Sequence, residues 1–387
     1  MRVSFLGFLI SDGEVDRYLS NDKNMPVQTH KFGRGFYTKL MDDGVEVVAI
    51  HSPPVSRFPS NRFFINRPRK VFNGDYPFGF INLAPFNFIE RFFKACYYLV
   101  CARNNVVIVH GLYLPYVAAA FLYSLVRPAK LFVVLTDPIN VGKHGFLHLP
   151  RLINSVLISF FLRRFVASFS VSVPLSRKLM GYRRHLLIPG FFDLKTFDGG
   201  KDEGSSILDC GSAFRVCYAG GLEDDYGVFD LVRAVGKISS SDVVLFICGK
   251  GSLEDELRKY SDKVSNVRFL GYLPPGELGK LYRCCDLLVN PRVPSADIFK
   301  YSFPSKLFDY LSSRKPVLTT KLASIPVEIE GCFYYISEFT EEGISRAILD
   351  LSDIEAAELE RFGVRAFERV VEYQRSINFR LFIESIL

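Results

Sequence analysis

Between Asn290 and Tyr310 the chain sets Arg292, Lys306 and the carboxylate of Asp309 around the expected start of a helix. The apolar run Leu287-Leu288-Val289 reads as a buried parallel strand that closes at Asn290-Pro291-Arg292. Further on, Lys300-Tyr301-Ser302-Phe303-Pro304-Ser305-Lys306-Leu307-Phe308-Asp309-Tyr310 opens a helix near Ser305. Pro304 suits a helix start, and Ser305 is a good N-cap. The first amides of that helix, with Arg292 and Lys306 nearby, make a site for a phosphate or diphosphate. Asp309, one turn on, is placed to accept hydrogen bonds from ribose hydroxyls. Together this is the chemistry of a nucleotide-sugar site.

Three more expected strands end in glycine beside a polar or aromatic residue: Gly220-Gly221, Gly249-Lys250-Gly251 and Gly271-Tyr272. Ligands of open parallel sheets sit at the carboxyl ends of the strands, so four such ends point to one rim and one ligand. Each piece alone has a plainer reading. Gly220 serves a tight turn equally well, and Lys250 either reaches a phosphate or is solvated. Gly249-x-Gly251 lacks the third glycine of the dinucleotide fingerprint, which falls at Glu254, so that motif is rejected. Glu223-Asp224-Asp225 is read as support for the next helix N-terminus, not as a metal site. In the front half, Asp137 follows a strand and either faces a ligand or opens a turn at Pro138. His110 ends another strand and reads as structural. No Ser or Cys has a His partner at motif spacing, so a nucleophilic triad is unsupported.

Two alternations of strands and helices must position these residues. Arg2 to Leu6, Val45 to Ile50, Val106 to Val109 and Leu131 to Leu135 are the strands of the first, an amphipathic stretch lies around Phe32 to Met41, and the domain spans 1–190. A Gly-, Ser- and acid-rich loop over Asp198 to Ser212 introduces the second. Its strands are Arg215 to Tyr218, Val243 to Cys248, Val267 to Leu270, Leu287 to Val289 and Val317 to Thr319. A long helical pattern from about Glu355, with a break near Ser376, closes the chain. The class is α/β, two doubly wound parallel sheets.

The 387 residues carry a net charge of +7, unevenly spread. Up to Gly190 there are 24 Lys and Arg against 10 Asp and Glu; from Phe191 there are 24 against 31. The front half should therefore seek an anionic surface. Its segments Phe86 to Lys94 and Arg151 to Phe165 flank apolar and aromatic residues with Arg and Lys, as interfacial helices do; core helices with snorkelling ends share that pattern. With no nucleic-acid signature in sight, a membrane is the preferred partner. The uncharged run Leu152 to Leu162 is too short to span a bilayer, and the start lacks the apolar core of a secretory leader. Eight scattered cysteines without Cys-x-x-Cys spacing read as reduced core residues of a cytosolic protein.

Tyr218-Ala219-Gly220-Gly221-Leu222, Gly249-Lys250-Gly251-Ser252, Phe269-Leu270-Gly271-Tyr272-Leu273-Pro274 and the Lys300 to Pro316 block occur in order. Together they resemble the donor-binding half of bacterial family 4 glycosyltransferases of the exopolysaccharide, capsule and O-antigen assembly type. The likeness extends weakly over the front through Gln28 to Phe32, Pro54 to Pro59, His110 and Asp137. It implies a GT-B fold: two Rossmann-like domains, 1–190 and 191–365, facing across a cleft, with the last helix, 366–387, packing back on the first. It implies retaining transfer from a nucleoside diphosphate sugar, UDP before GDP, without a metal or other cofactor. The acceptor it implies is an undecaprenyl diphosphate-type saccharide, met by a peripheral protein at the inner face of the cell membrane. By resemblance Asp309 holds the ribose, backbone amides around Pro304, Ser305, Lys306 and Leu307 hold the diphosphate, Tyr301, Ser302 and Phe303 also belong to the donor site, and Tyr272 lies where the base loop runs. Asp137 is the candidate for orienting the acceptor or donor sugar from the opposite domain.

Three departures stand out. The first Glu of the family's Glu-x7-Glu motif falls at Tyr301, the usual Arg after the first glycine at Gly221, and the usual Lys a few residues on at Tyr226. Arg292 and Lys306 are the available replacement cations. The same departures suit a rival, a non-catalytic membrane-bound partner of a transferase; the nearest enzymatic rival is a GT-B sugar-nucleotide epimerase or phosphorylase.

Overall fold

Residues 1–19, 27–70, 74–139, 148–191, 212–239 and 242–387 are described by the structure, a computed structural model. The chain divides into two units, Met1–Phe191 with Asn378–Leu387, and Phe192–Ile377. The loop expected over Asp198 to Ser212 falls outside the described residues but for Ser212, as does Cys210.

In the first unit, β1 (Arg2–Phe8) leads through α1 (Val15–Leu19) and α2 (Val27–Asp42) to β2 (Glu46–Ser52). Three short strands follow, β3 (Phe64–Ile65), β4 (Tyr76–Pro77) and β5 (Phe80–Ile81). Then come α3 (Phe86–Ala102), β6 (Val106–His110), α4 (Leu114–Val126), β7 (Lys130–Leu135), α5 (His148–Leu162), β8 (Phe165–Ser170), α6 (Val173–Met180) and β9 (Arg184–Leu187). Seven strands form one parallel sheet in the order β4-β2-β1-β6-β7-β8-β9, while β3 and β5 pair antiparallel. The strands of β6 and β7 are buried along almost their whole length, as strands covered on both faces must be.

The second unit repeats the plan with β10 (Phe214–Gly221), β11 (Val243–Lys250), β12 (Val267–Gly271), β13 (Leu287–Asn290), β14 (Val317–Thr320) and β15 (Tyr334–Ile336). They lie parallel in the order β12-β11-β10-β13-β14-β15. Each unit is thus Rossmann-like. Each sheet grows both ways from its first strand, reversing between β1 and β6 and between β10 and β13.

Every expected strand is present and longer than expected, by one to four residues. The unforeseen β8 carries Ser168 and Ser170, which read as polar but are buried and satisfied, Ser168 Oγ lying 2.9 Å from Ser176 Oγ and Ser170 Oγ donating to Ser172 O. The return to the first unit falls at Ile377–Asn378 rather than at residue 366. Leu359, Ala366 and Val370 of the helix Ala356–Ser376 are buried, and Arg369 Nε donates to Glu328 O at 2.9 Å, so this helix belongs to the second unit. Asn378 then caps a new helix, Phe379–Glu384, by accepting from Leu381 N at 2.9 Å. Phe379 packs against Phe36 and Phe169, and its amide donates to Asp43 Oδ2 at 2.7 Å, which ties this helix to the first unit.

Candidate functional site

Because the second sheet is parallel, Gly221, Lys250, Gly271 and Asn290 all end strands on one rim, next to the reversal between β10 and β13. The glycines there let backbones touch. Gly249 holds φ at +150°, and a Cβ on it would sit 1.9 Å from Gly220 O. Beyond β11, Lys250 Nζ lies over the Tyr272 ring at 4.6 Å, so two candidates from separate strand ends meet. The acidic run Glu223-Asp224-Asp225 opens a 3-10 turn, Asp224–Tyr226, with both aspartates in its first turn, directly ahead of the helix Val228–Gly236. Glu223 also accepts from Ser252 Oγ at 2.5 Å, tying the β10 loop to the β11 loop.

Two of the three departures form one construction with Arg292. A Cβ on Gly221 would lie 2.8 Å from the Tyr226 ring, so an arginine at 221 would have to displace that ring. On Tyr226 rests the Arg292 guanidinium, 3.7 Å from the ring centroid, with Phe299 at 5.0 Å. Arg292 Nε donates to Asn290 Oδ1 at 3.1 Å, and Asn290 Nδ2 in turn donates to Thr319 Oγ1. Arg292 is only 5% exposed, and its Nη1 is buried without a partner among the described residues. No carboxylate of the described residues pairs with it. A buried cation without an anion is costly, and an anionic ligand would remove that cost.

The helix after Pro304 runs Lys306–Ser312. Ser305 does not cap it: the residue is helical (φ −54°, ψ −25°) and its side chain accepts nothing from the helix. Leu307 N and Phe308 N turn back on Pro304 O and Ser305 O at 2.9 and 3.2 Å, so the first turn tightens to absorb its own amides. The cationic part of the expected phosphate site is Lys306, whose Nζ lies 3.0 Å from Asp309 Oδ2. Leu307 and Phe303 are buried, Phe303 against Phe308 at 4.9 Å, so neither offers a ligand its side chain. Pro304 is buried, Ser305 exposed, and Tyr301 and Ser302 half-buried, Tyr301 ending the short helix Asp297–Tyr301. Tyr310 fixes the helix to the rim: its hydroxyl donates to Ala219 O at 3.0 Å and accepts from Ala219 N at 2.8 Å.

In the first unit, Asp137 is exposed just past β7. His110 is buried between Phe5 and Phe32, ring centroids 5.9 and 5.8 Å away, and burial lowers its pKa to about 4. Its Nδ1 is buried without a partner among the described residues. The Tyr226 platform and the Tyr310 anchor escaped the sequence reading. The Lys306–Asp309 pair was legible from its i,i+3 spacing.

Residues 213–353 match the family described as Glycosyl transferases group 1. The second unit is a glycosyltransferase domain. Solved glycosyltransferases also share the fold over both units. The lipopolysaccharide outer core galactosyltransferase WaaB, in its apo form, is 13% identical, covering 97% of this chain and 99% of its own, with a TM-score of 0.58. Anabaena HepE in complex with UDP and glucose is 15% identical over 99% of each chain, at 0.57. The UDP-forming alpha,alpha-trehalose-phosphate synthase of Burkholderia xenovorans, with glucose-6-phosphate, is 11% identical over 100% of each, at 0.68. No curated protein matches the chain. The glycosyltransferase domain spans the whole rim described above, from Gly220 to Asp309.

Proposed function

We propose that the protein is a retaining glycosyltransferase that moves a sugar from a UDP-sugar to a lipid-linked saccharide during surface polysaccharide synthesis. The observation that carries this reading is Arg292, a buried guanidinium with an unpartnered Nη1 at the reversal of a glycosyltransferase-domain sheet. The diphosphate of the donor is the anion that satisfies it. In the transfer, the bond from the anomeric carbon to the diphosphate oxygen breaks and a bond to an acceptor oxygen forms on the same face. The acceptor proton passes to the departing phosphate oxygen. Negative charge grows on the diphosphate, and Arg292 and Lys306 meet it with fixed positive potential, the role a metal would otherwise fill. Asp309 holds the ribose, Lys250 and Tyr272 border the nucleotide, and Asp137 orients a sugar hydroxyl.

UDP as donor base is supported by the UDP bound to HepE and by the UDP-forming reaction of the Burkholderia synthase. The surface-polysaccharide role is supported by the likeness to a lipopolysaccharide galactosyltransferase. For the acceptor's location, the first unit offers α3 and α5. Phe86, Ile89, Phe93 and Tyr97 form an exposed stripe at helical spacing on α3, and Val156 and Phe160 lie exposed on α5. With the excess of Lys and Arg in this half, that stripe fits an anionic membrane surface at the inner leaflet. Among the described residues no helix is long and apolar enough to cross a membrane.

Calorimetric titration of UDP, GDP and their sugar conjugates, with Arg292→Lys alongside, tests the reading. Tight binding of UDP and its sugar conjugate that weakens in the variant supports it. No nucleotide binding would turn the assignment to a non-catalytic partner of a transferase, and acceptor-free consumption of the sugar nucleotide to an epimerase.

A further inference from the structure

The Arg292 guanidinium is aimed by hydrogen bonds that run back into the sheet. β13 and β14 are parallel neighbours, and their register sets Asn290 beside Thr319. Thr319 Oγ1 lies 3.0 Å from Asn290 O and 3.1 Å from Asn290 Nδ2. Toward a carbonyl oxygen a hydroxyl can only donate, which uses its single proton. Its oxygen is left to accept, so the amide nitrogen of Asn290, and not the amide oxygen, must face Thr319. The amide oxygen is thereby turned toward Arg292, whose Nε donates to it at 3.1 Å. One hydroxyl on the neighbouring strand fixes which way the Asn290 amide stands, and the amide fixes the edge of the guanidinium.

The rest of Arg292 is held from other sides. Thr320 Oγ1 donates to its carbonyl at 2.8 Å, its own amide donates to Asn290 O at 3.0 Å, and the face of its guanidinium rests on Tyr226. Asn290, Thr319 and Thr320 are 1%, 0% and 1% exposed, and no buried side-chain polar atom of the three lacks a partner. They have nothing of their own to offer a ligand. An amide at 290 also differs from a carboxylate in one respect that matters here. A carboxylate would hold the same Nε and neutralise the guanidinium, whereas the amide holds it and leaves the positive charge uncompensated. Nη1 stays buried and unpartnered.

Building on the reading of Arg292 as the group that meets the donor diphosphate, we propose that Asn290 and Thr319 are positioning residues for it. Thr319 orients the Asn290 amide, and Asn290 aims Arg292 at the diphosphate without taking up its charge. Both act through Arg292 and neither touches the nucleotide.

The test is calorimetric titration of UDP and inorganic diphosphate into wild type, Asn290→Asp, Thr319→Val and Thr319→Ser, with urea unfolding of each protein. Asn290→Asp keeps the size and the acceptor but pairs the guanidinium internally. Its affinity for both ligands should fall about tenfold or more, while its unfolding midpoint holds or rises. Thr319→Val keeps the shape and adds no charge, so it tests the aim alone. It frees the amide to turn, and UDP affinity should fall by about three- to tenfold. Thr319→Ser, which restores the hydroxyl, should recover that affinity. A purely structural role predicts the opposite pattern, lower unfolding midpoints in Asn290→Asp and Thr319→Val with UDP affinity unchanged. Wild-type UDP affinity in either of these two variants would overturn the proposal and leave the transferase reading standing. A wild-type protein that binds no UDP rejects that reading itself.

Discussion

Lys306 Nζ and Asp309 Oδ2 stand 3.0 Å apart, one helical turn from each other, so the cation and the carboxylate assigned to the donor neutralise one another. Both are partly exposed, at 27% and 43%, and a pair of this kind adds little to stability. A bound nucleotide offers each a better partner, phosphate for Lys306 and ribose for Asp309. Lys306→Ala should weaken UDP binding by roughly 10- to 100-fold, the range of a hydrogen bond to a charged group. Asp309→Ala should weaken UDP binding similarly but leave inorganic diphosphate binding unchanged or tighter, since it frees Lys306. Neither should shift the unfolding free energy by more than about 1 kcal/mol. Titrations with both ligands separate the two roles, and equal loss of both ligands in Asp309→Ala would refute the ribose assignment.

Tyr226 serves Arg292 as a platform, the ring centroid 3.7 Å from the guanidinium and the ring edge close against Gly221. The aromatic face matters here, the hydroxyl much less. Tyr226→Phe should therefore retain most transfer activity. Tyr226→Ala should lower kcat/KM by roughly tenfold or more, because Arg292 loses a contact worth about 1–2 kcal/mol when desolvated. Gly221→Arg, which restores the residue usual in the family, should impair rather than rescue, since the new side chain meets the Tyr226 ring. Steady-state kinetics on the three variants decide the point.

These variants mark where sequence reading stopped. The strands declared themselves through short apolar runs, because a parallel strand covered on both faces leaves no alternation to confuse. Their ends were equally plain, since glycines at 220, 249 and 271 and the Asn290-Pro291-Arg292 corner break those runs. Arg292 was recognisable as a cation at the rim, but its stack on Tyr226 was not, because the two residues are brought together by adjacent strands β10 and β13. Ser305 misled for a local reason: its backbone is already helical, which removes the extended geometry an N-cap needs.

Tyr310 holds the donor helix by two hydrogen bonds to one residue, Ala219, in a fully buried position. Removing the hydroxyl strands a buried amide and a buried carbonyl. Tyr310→Phe should destabilise the protein by about 1–3 kcal/mol, the cost of leaving such groups unsatisfied. Nucleotide affinity should fall with it, because Lys306 and Asp309 ride on the same helix. Urea unfolding and UDP titration on the one variant measure both, and full stability in Tyr310→Phe would show that the helix is held by packing alone.

His51 and His110 set the acid limit of the first unit. Both are completely buried, and desolvation lowers each pKa from its ordinary 6.5 to about 4. His51 Nδ1 lies 3.1 Å from Leu9 O, and the ring stays neutral, so its approach to Asp75 Oδ2 at 4.0 Å is not an ion pair. A depressed histidine pKa means that the unfolded chain takes up the proton first. The histidines impose no penalty above pH 6.5, and stability falls as the pH drops from 6.5 toward 4, where the folded form also protonates. Each contributes about 1.4 kcal/mol per pH unit in that window, or about 2 kcal/mol at pH 5. His110→Leu removes one of the two. Its unfolding free energy should therefore drop less than that of wild type between pH 7.5 and pH 5, by about 2 kcal/mol. Chemical denaturation at the two pH values checks this, and parallel losses in variant and wild type would mean that His110 is protonated in the fold.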